Sequence, residues 1–267
     1  MATNLPKELT LMLGSTQTLK AAITPQNATL YEVFWETSNS NIVKLPLIEG
    51  LGVLAIANIP GTATIRATVT QYIKTESGQL ILNKKISDTC YVTVYPYIIL
   101  KNQLEAFGWC DVSENILDDL NITLNRFNIT TTERIRHFMS QCAVESQYGY
   151  YTEEIASGTA YEGRTDLGNT QLGDGTKFKG AGYIQVTGRA NYQAFADAIN
   201  DQNVMQGVSY VAKKYPWLSA GFWWHNNNMN TFIDNGATVK EVTKKVNGGY
   251  NNLDEREATY IKAKEIF

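Results

Sequence analysis

Two carboxylates nine residues apart, Glu145 and Glu154, have the type and spacing that acid and base catalysis requires. Upstream of them Ile135, Phe138, Met139, Cys142 and Ala143 recur at helical spacing as one apolar stripe, with Glu145 on its shoulder. A carboxyl lying half against apolar surface loses solvation in its charged form. A proton donor to a leaving oxygen needs that property. Gly149 offers a turn beyond the helix, and such a turn can bring Glu154 back to face Glu145. Glycosidic hydrolysis needs two carboxyls flanking the bond, roughly 6.5–9.5 Å apart in the inverting form so that a water fits between them. Glu153 is the alternative base, and position alone also allows Glu145 to be an ordinary flanking glutamate. The neighbouring tyrosines, Tyr148, Tyr150 and Tyr151, suit either sugar-ring packing or a core.

The elements that must position these groups change character along the chain. Residues 1–97 read as strands: in Thr62 to Thr70 the residues Ala63, Ile65, Ala67 and Val69 face one way, and Val92 and Val94 alternate with tyrosines. Turn signals at Leu13-Gly14-Ser15, Thr37 to Asn41, Ile59-Pro60-Gly61 and Ser77-Gly78 separate the runs, as in a β-sandwich. From about Leu104 the period becomes helical. Thr130-x-x-Glu133 predicts a capping box with Thr130 as N-cap, and Thr238-x-x-Glu241 a second one. Gly248-Gly249 predicts the stop of the helix that follows, and residues 254–267 form a further helix. The glycine-rich stretch from Gly163 to Gly188 is too long and polar for a simple connection, which marks a functional loop. A linker is expected at residues 98–102, and residues 100–267 are expected to fold alone.

Composition removes several functions. The net charge is −3, and residues 1–97 hold 7 Lys+Arg against 6 Asp+Glu, leaving 16 against 20 for the rest. Neither part has the basic footprint of a nucleic-acid binder. Three cysteines and two histidines show no ligand spacing, so no structural metal and no cofactor are expected, and the cysteines read as small buried hydrophobes. The longest apolar stretch, Leu51 to Ile59, is too short to span a bilayer, so no membrane insertion is expected. Met1 to Gly14 shows no signal peptide, so the chain is expected to be made in the cytoplasm. Nothing in the residues sets an oligomeric state.

Two resemblances organise these features. Leu11 to Gly14, Leu19/Ala21, Phe34-Trp35 with Ser38-Asn39-Ser40, and Gly61-x-Ala63-x-Ile65-x-Ala67 resemble the group 2 bacterial immunoglobulin-like domains, with a departure between Leu45 and Leu54. Such modules serve as spacers or adhesive units. Residues 103–267 resemble the family 19 glycoside hydrolases, the chitinase-like group that includes phage endolysins. The match runs through His137 to Gln141, Glu145-Ser146, Tyr161 to Asn169, Gly173-Asp174-Gly175, Phe178-x-Gly180-x-Gly182 to Arg189-x-Asn191-Tyr192, Trp223-Trp224, Val246 to Gly249 and Arg256. Together they imply an all-β immunoglobulin-like sandwich at 1–97 followed by a mainly α, lysozyme-like catalytic domain at 103–267.

The resemblance implies Glu145 as general acid, Glu154 as base, and Thr187 as holder of the attacking water. It also implies Gln185, Asn191 and Tyr192 as sugar-binding residues, with Asn247 and Arg256 lining the cleft; by type alone Asn191, Asn247 and Arg256 also suit turn capping or an ion pair, and Arg256 can do both. Trp217, Trp223 and Trp224 read as core, and Glu162 with Arg164 as a buried pair. Two departures stand out. Val144 replaces the family's histidine before the acid, and Gly180-Ala181-Gly182 lacks the family's central arginine. The implied function is a peptidoglycan hydrolase of endolysin or autolysin type acting on cell-wall glycan. A chitinase, a lytic transglycosylase and a non-catalytic wall-binding protein are the alternatives.

Overall fold

A computed structural model describes residues 5–24 and 30–267. The chain divides into two compact units, Met1–Tyr97 and Ile98–Phe267.

The first unit contains strands β1 (Glu8–Met12), β2 (Thr16–Lys20), β3 (Tyr31–Thr37), β4 (Val43–Lys44), β5 (Gly52–Ala57), β6 (Gly61–Lys74) and β7 (Leu80–Tyr95). They form two sheets, ordered β1-β7-β6-β3 and β2-β5-β4. β1 runs parallel to β7, and the other pairings are antiparallel. The period-two pattern places Ala63, Ile65, Ala67, Val69, Val92 and Val94 in the core with the fully buried Trp35, as their alternation predicts. Trp35 donates its indole N–H to Gly50 O at 2.8 Å, so the one polar atom of the largest core side chain is satisfied. In the stretch that departs from the familiar pattern, β5 begins at Gly52 and pairs with β2 from Lys20↔Gly52 to Thr16↔Ile56.

The second unit is helical: α1 (Lys101–Phe107), α2 (Glu114–Arg126), α3 (Thr132–Ser146), α4 (Asp174–Lys177), α5 (Arg189–Ile199), α6 (Val208–Lys214), α7 (Pro216–Asn226), α8 (Met229–Asp234), α9 (Val239–Asn247) and α10 (Leu253–Ile266). The expected apolar stripe of α3 is buried, and α3 packs against α10 while α2 packs against α7. The capping box at Thr238 and Glu241 forms as expected, with Gly248 left-handed at the C-cap. The one at α3 does not. Asn128 turns left-handed after α2, so Thr130 still lies in the connection and its hydroxyl bonds Asn128 Oδ1. Thr131 caps Arg134 N instead, and Glu133 is drawn to Arg136 and Tyr260. Cys90 and Cys142 are buried free thiols, but Cys110 is exposed, contrary to the expectation of three buried cysteines.

Residues 98–102 are not a linker. Buried Asn121 accepts the N–H groups of Ile98 (2.6 Å) and Ile99 (2.9 Å) and donates to Ile99 O, while α1 begins at Lys101. Ile99 is itself buried. Cutting before residue 100 would strip that side chain of its partners, so a free-standing second unit has to begin before Ile98.

Two buried titratable groups set opposing pH responses in this unit. Burial pushes the Asp119 carboxyl up to about 7 against the pull of the N–H groups of Trp217 and Leu218, which it caps at the start of α7. Burial pushes His137 down to about 4, and its Nδ1 has no hydrogen-bond partner among the described residues. The folded state keeps the Asp119 proton that the unfolded chain releases near pH 4. Its contribution is therefore full below that pH and is lost as pH rises to about 7. His137 works the other way: its contribution is full above the ordinary imidazole range and is lost as pH falls towards 4. At about 1.4 kcal/mol per pH unit the two are worth roughly 4 and 3 kcal/mol and oppose each other across mildly acid pH. Asp119→Asn should uncover the histidine. Urea unfolding should show the variant losing about 3 kcal/mol relative to wild type between pH 6.5 and 4, and a constant difference would refute the assignment.

Candidate active site

Glu145 lies in the last turn of α3, which ends at Ser146, and the chain then reverses at once. Gln147, Tyr148 and Gly149 are three consecutive left-handed residues, closed by Tyr148 N to Ala143 O (2.7 Å) and Tyr151 N to Ser146 O (2.9 Å). Gly149 is required on two counts: its φ is +86°, and a Cβ there would stand 2.4 Å from Trp109 Nε1. The chain then runs out to Glu154, whose N–H bonds Gly180 O at 2.9 Å, while Gly182 N bonds Thr152 O. Isolated bridges tie Glu153 to Ala181 and Ala181 to Val186. One helix, one turn and one short extended segment therefore deliver both carboxylates.

The surroundings of Glu145 differ from the expected apolar flank. Its Oε1 accepts Arg256 Nη2 at 2.7 Å, from a guanidinium that is 2% exposed beside a carboxylate that is 21% exposed. The same guanidinium donates to Gln141 Oε1 (2.6 Å) and Asn251 O (3.1 Å). Gln141 in turn donates to Thr243 Oγ1 on α9. Arg256 thus holds the Glu145 carboxylate from a buried position: of the readings open to it the ion pair is the one formed, and its expected place as a cleft-lining sugar contact is corrected.

Glu154 is held through both carboxylate oxygens. Oε1 accepts the Tyr161 hydroxyl and Oε2 accepts Gly180 N, each at 2.9 Å. Gly180 leaves room for this: a Cβ there would stand 2.3 Å from Gln185 Oε1 and 3.1 Å from Glu154 Oε2. Gln185, with φ of +56°, donates to Gly182 O, and the Thr187 hydroxyl donates to Gln185 O at 2.9 Å. Asn191 donates to Thr187 O at 2.7 Å. Glu154, Gln185, Thr187 and Asn191 therefore form one cluster. Thr187 keeps its oxygen lone pairs and Asn191 its amide oxygen, both able to accept from a water or sugar.

Tyr192 belongs elsewhere. It is fully buried, packs edge-on against Phe178, and donates its hydroxyl to Lys179 O at 2.7 Å. Burial and the nearby carboxylates of Glu153 and Glu154 hold its phenol well above the usual range. Tyr192 supports the loop from below, so its expected role as a sugar contact is corrected. Glu162 and Arg164 are not a pair either: Glu162 accepts Gly173 N and Gly175 N, and Arg164 takes Asp166. Asn247 is half-buried, and its Oδ1 is a buried acceptor with no donor among the described residues. Trp217 and Trp224 are core as expected, while Trp223 is half-buried.

An aromatic cluster joins the two halves of the site. Trp109, against which the Gly149 turn rests, stacks on Trp217 (4.3 Å between centroids) and meets Tyr183 edge-on (4.9 Å). Tyr183 lies in the segment that carries Gln185 and Thr187. Gln141 and Tyr161 are the site residues to which the sequence reading gave no role. Gln141 lies four positions before Glu145 on one helix, a spacing that puts both on one face. Tyr161 reaches Glu154 across an irregular loop of seven residues, which has no period to reveal the contact. Among the described residues no three His, Cys, Asp or Glu side chains stand together as a metal-binding group, and no helix is long and apolar enough to cross a membrane.

The chain joins a bacterial immunoglobulin-like domain to a helical unit with the fold of the family 19 chitinases. Residues 3–78 match the bacterial Ig-like domain (group 2) model. Chitinase C from Streptomyces griseus HUT6037 aligns over 64% of this chain and 92% of its own, with a TM-score of 0.51 and 17% identity. Another bacterial family 19 chitinase aligns over 64% and 95%, with a TM-score of 0.51 and 16% identity. A glycosyl hydrolase family 19 domain-containing protein of Haemophilus influenzae is 31% identical over 107 residues, which is 39% of this chain. The chain spans about half the length of that curated relative (49%).

Proposed function

We propose that the second unit is a glycoside hydrolase that cleaves β-1,4 linkages between the N-acetylated amino sugars of peptidoglycan, with inversion. Glu145 protonates the leaving oxygen, and Glu154 takes the proton of the water that attacks the opposite face of the sugar. Thr187 accepts a hydrogen bond from that water and holds it in line. The buried acceptor Asn247 Oδ1 suits the amide N–H of an acetamido group, a donor that would satisfy it on binding. The observation that supports the reading is that each carboxylate is held in place, Glu145 by the buried Arg256 guanidinium and Glu154 through both of its oxygens. In this reading the enzyme is of endolysin or autolysin type, reaches the wall on lysis, and uses its first unit as a spacer or wall-binding module.

A chitinase with the same mechanism is the second reading, favoured by the fold neighbours being chitinases. Mass spectrometry of digested peptidoglycan, beside a reducing-end assay on colloidal chitin, separates the two. Reducing N-acetylated sugar ends from the wall are expected. Glu154→Gln should abolish their release. Anhydro-sugar products that persist in this variant would make the protein a lytic transglycosylase and remove the base assignment. Wall binding without any release of ends by wild type would make it a binding protein.

A further inference from the structure

Helix α9 presents two faces to two different tasks. Its inner face, Val242 and Thr243, is buried, and Thr243 supports Gln141 one turn below Glu145. Lys240 and Lys244 are exposed, and both lie over the ring of Tyr250, 5.3 and 5.9 Å from its centroid. Tyr250 is 47% exposed and follows the turn that ends α9. Its neighbour Asn251 accepts Arg256, which holds Glu145. A short chain of contacts therefore runs from the acid to this pair of lysines.

Among the described residues neither ammonium group has a counter-ion within ion-pair distance. The ion pairs of the second unit engage Arg134, Arg136, Arg164, Arg189, Lys214 and Arg256, and none involves an α9 lysine among the described residues. Two like charges over one ring repel each other, and an anion between them would relieve that repulsion. Helix electrostatics accounts for Lys244 in the last turn, where a cation complements the dipole. It does not account for Lys240 in the first turn, where a cation opposes it.

Resting on the proposed function, we infer that Lys240, Lys244 and Tyr250 form a rim subsite for a carboxylate-bearing branch of the glycan, with the tyrosine face taking the adjoining apolar surface. Chitin is a neutral polymer and offers this rim nothing to neutralise. Peptidoglycan carries lactyl-peptide branches with carboxylates. The rim thus selects the wall polymer over chitin at a site whose acid and base serve both.

The test compares kcat/KM on soluble peptidoglycan fragments with that on a neutral chitin oligomer, using the full chain. The ratio should fall about tenfold in the Lys240→Gln/Lys244→Gln variant at low salt, and in wild type when salt is raised to about 0.5 M. Lys240→Arg/Lys244→Arg should restore it. A ratio unchanged by the glutamines, or by salt, overturns the inference. If wild type cleaves neither polymer, the enzymatic reading fails separately, and cosedimentation with peptidoglycan decides this one. Binding that is weakened by amidating the wall carboxylates, and by the glutamines to the same extent, upholds the rim. Binding indifferent to both overturns it.

Discussion

Glu145→Gln should lower the rate of glycan cleavage by about a thousandfold, within the range that a positioned proton donor contributes. The substitution is close to isosteric. A glutamine Oε1 can still accept from Arg256 Nη2, so the contact that orients the side chain survives, and Gln141 keeps its own bond to Arg256. What is lost is the proton. A sugar alkoxide is a poor leaving group, and neither Arg256, which stays charged, nor Gln141 can protonate it. Melting temperature and cosedimentation with the wall should stay within error of wild type. Glu153→Gln, at the neighbouring position to Glu154 and bridged to Ala181 through its backbone, is expected to cost less than tenfold. A loss below tenfold for Glu145→Gln would move the acid to another residue.

Arg256→Met should damage both the fold and the chemistry. The guanidinium is 2% exposed and serves three acceptors, Glu145, Gln141 and Asn251 O. Methionine fills similar space but leaves those acceptors without donors. Breaking a fully buried pair costs about 3–5 kcal/mol. Glu145 retains some solvent contact, so a loss of about 2–3 kcal/mol is expected, read by chemical denaturation. Turnover should fall at least about tenfold, because an acid free to swing spends less time against the leaving oxygen. Arg256→Lys separates charge from geometry: it keeps a cation but not the planar fork that reaches Glu145 and Gln141 together. Lysine should recover less than half of the lost stability. Full recovery would mean that charge alone matters there.

The fold was legible where a side-chain period recorded one-sided burial. The alternation at Ala63 to Val69 and the stripe from Ile135 to Ala143 both predict the faces that are buried. Boundaries set by competition between nearby polar groups were not. Thr130 and Thr131 are equally good caps by type, and the left-handed Asn128 decides between them. The supposed linker was misread for a related reason. What makes residues 98–102 part of the second unit is one asparagine more than twenty positions away, a contact with no local signature.

The site divides in the same way. The turn after α3 was visible in Gly149, and Gln185, Thr187 and Asn191 cluster through bonds of short range in sequence. Arg256 and Tyr192 carried the right chemistry for a sugar contact, but burial assigns them to the supporting layer. Burial of a polar group is decided by the whole tertiary structure, so residue type alone cannot separate a group that touches substrate from one that holds its neighbour.

The stacked indoles of Trp109 and Trp217 give the protein an optical gauge of its own. Chromophores 4.3 Å apart at 29° couple their electronic transitions, which yields a paired band in near-ultraviolet circular dichroism. One indole abuts the reversal behind Glu145, and Tyr183 of the loop bearing Thr187 touches both rings. Any glycan that shifts either segment should therefore alter this signal without a label, so that occupancy can be titrated spectroscopically in the Glu145→Gln protein, where turnover is slow enough for the glycan to stay intact.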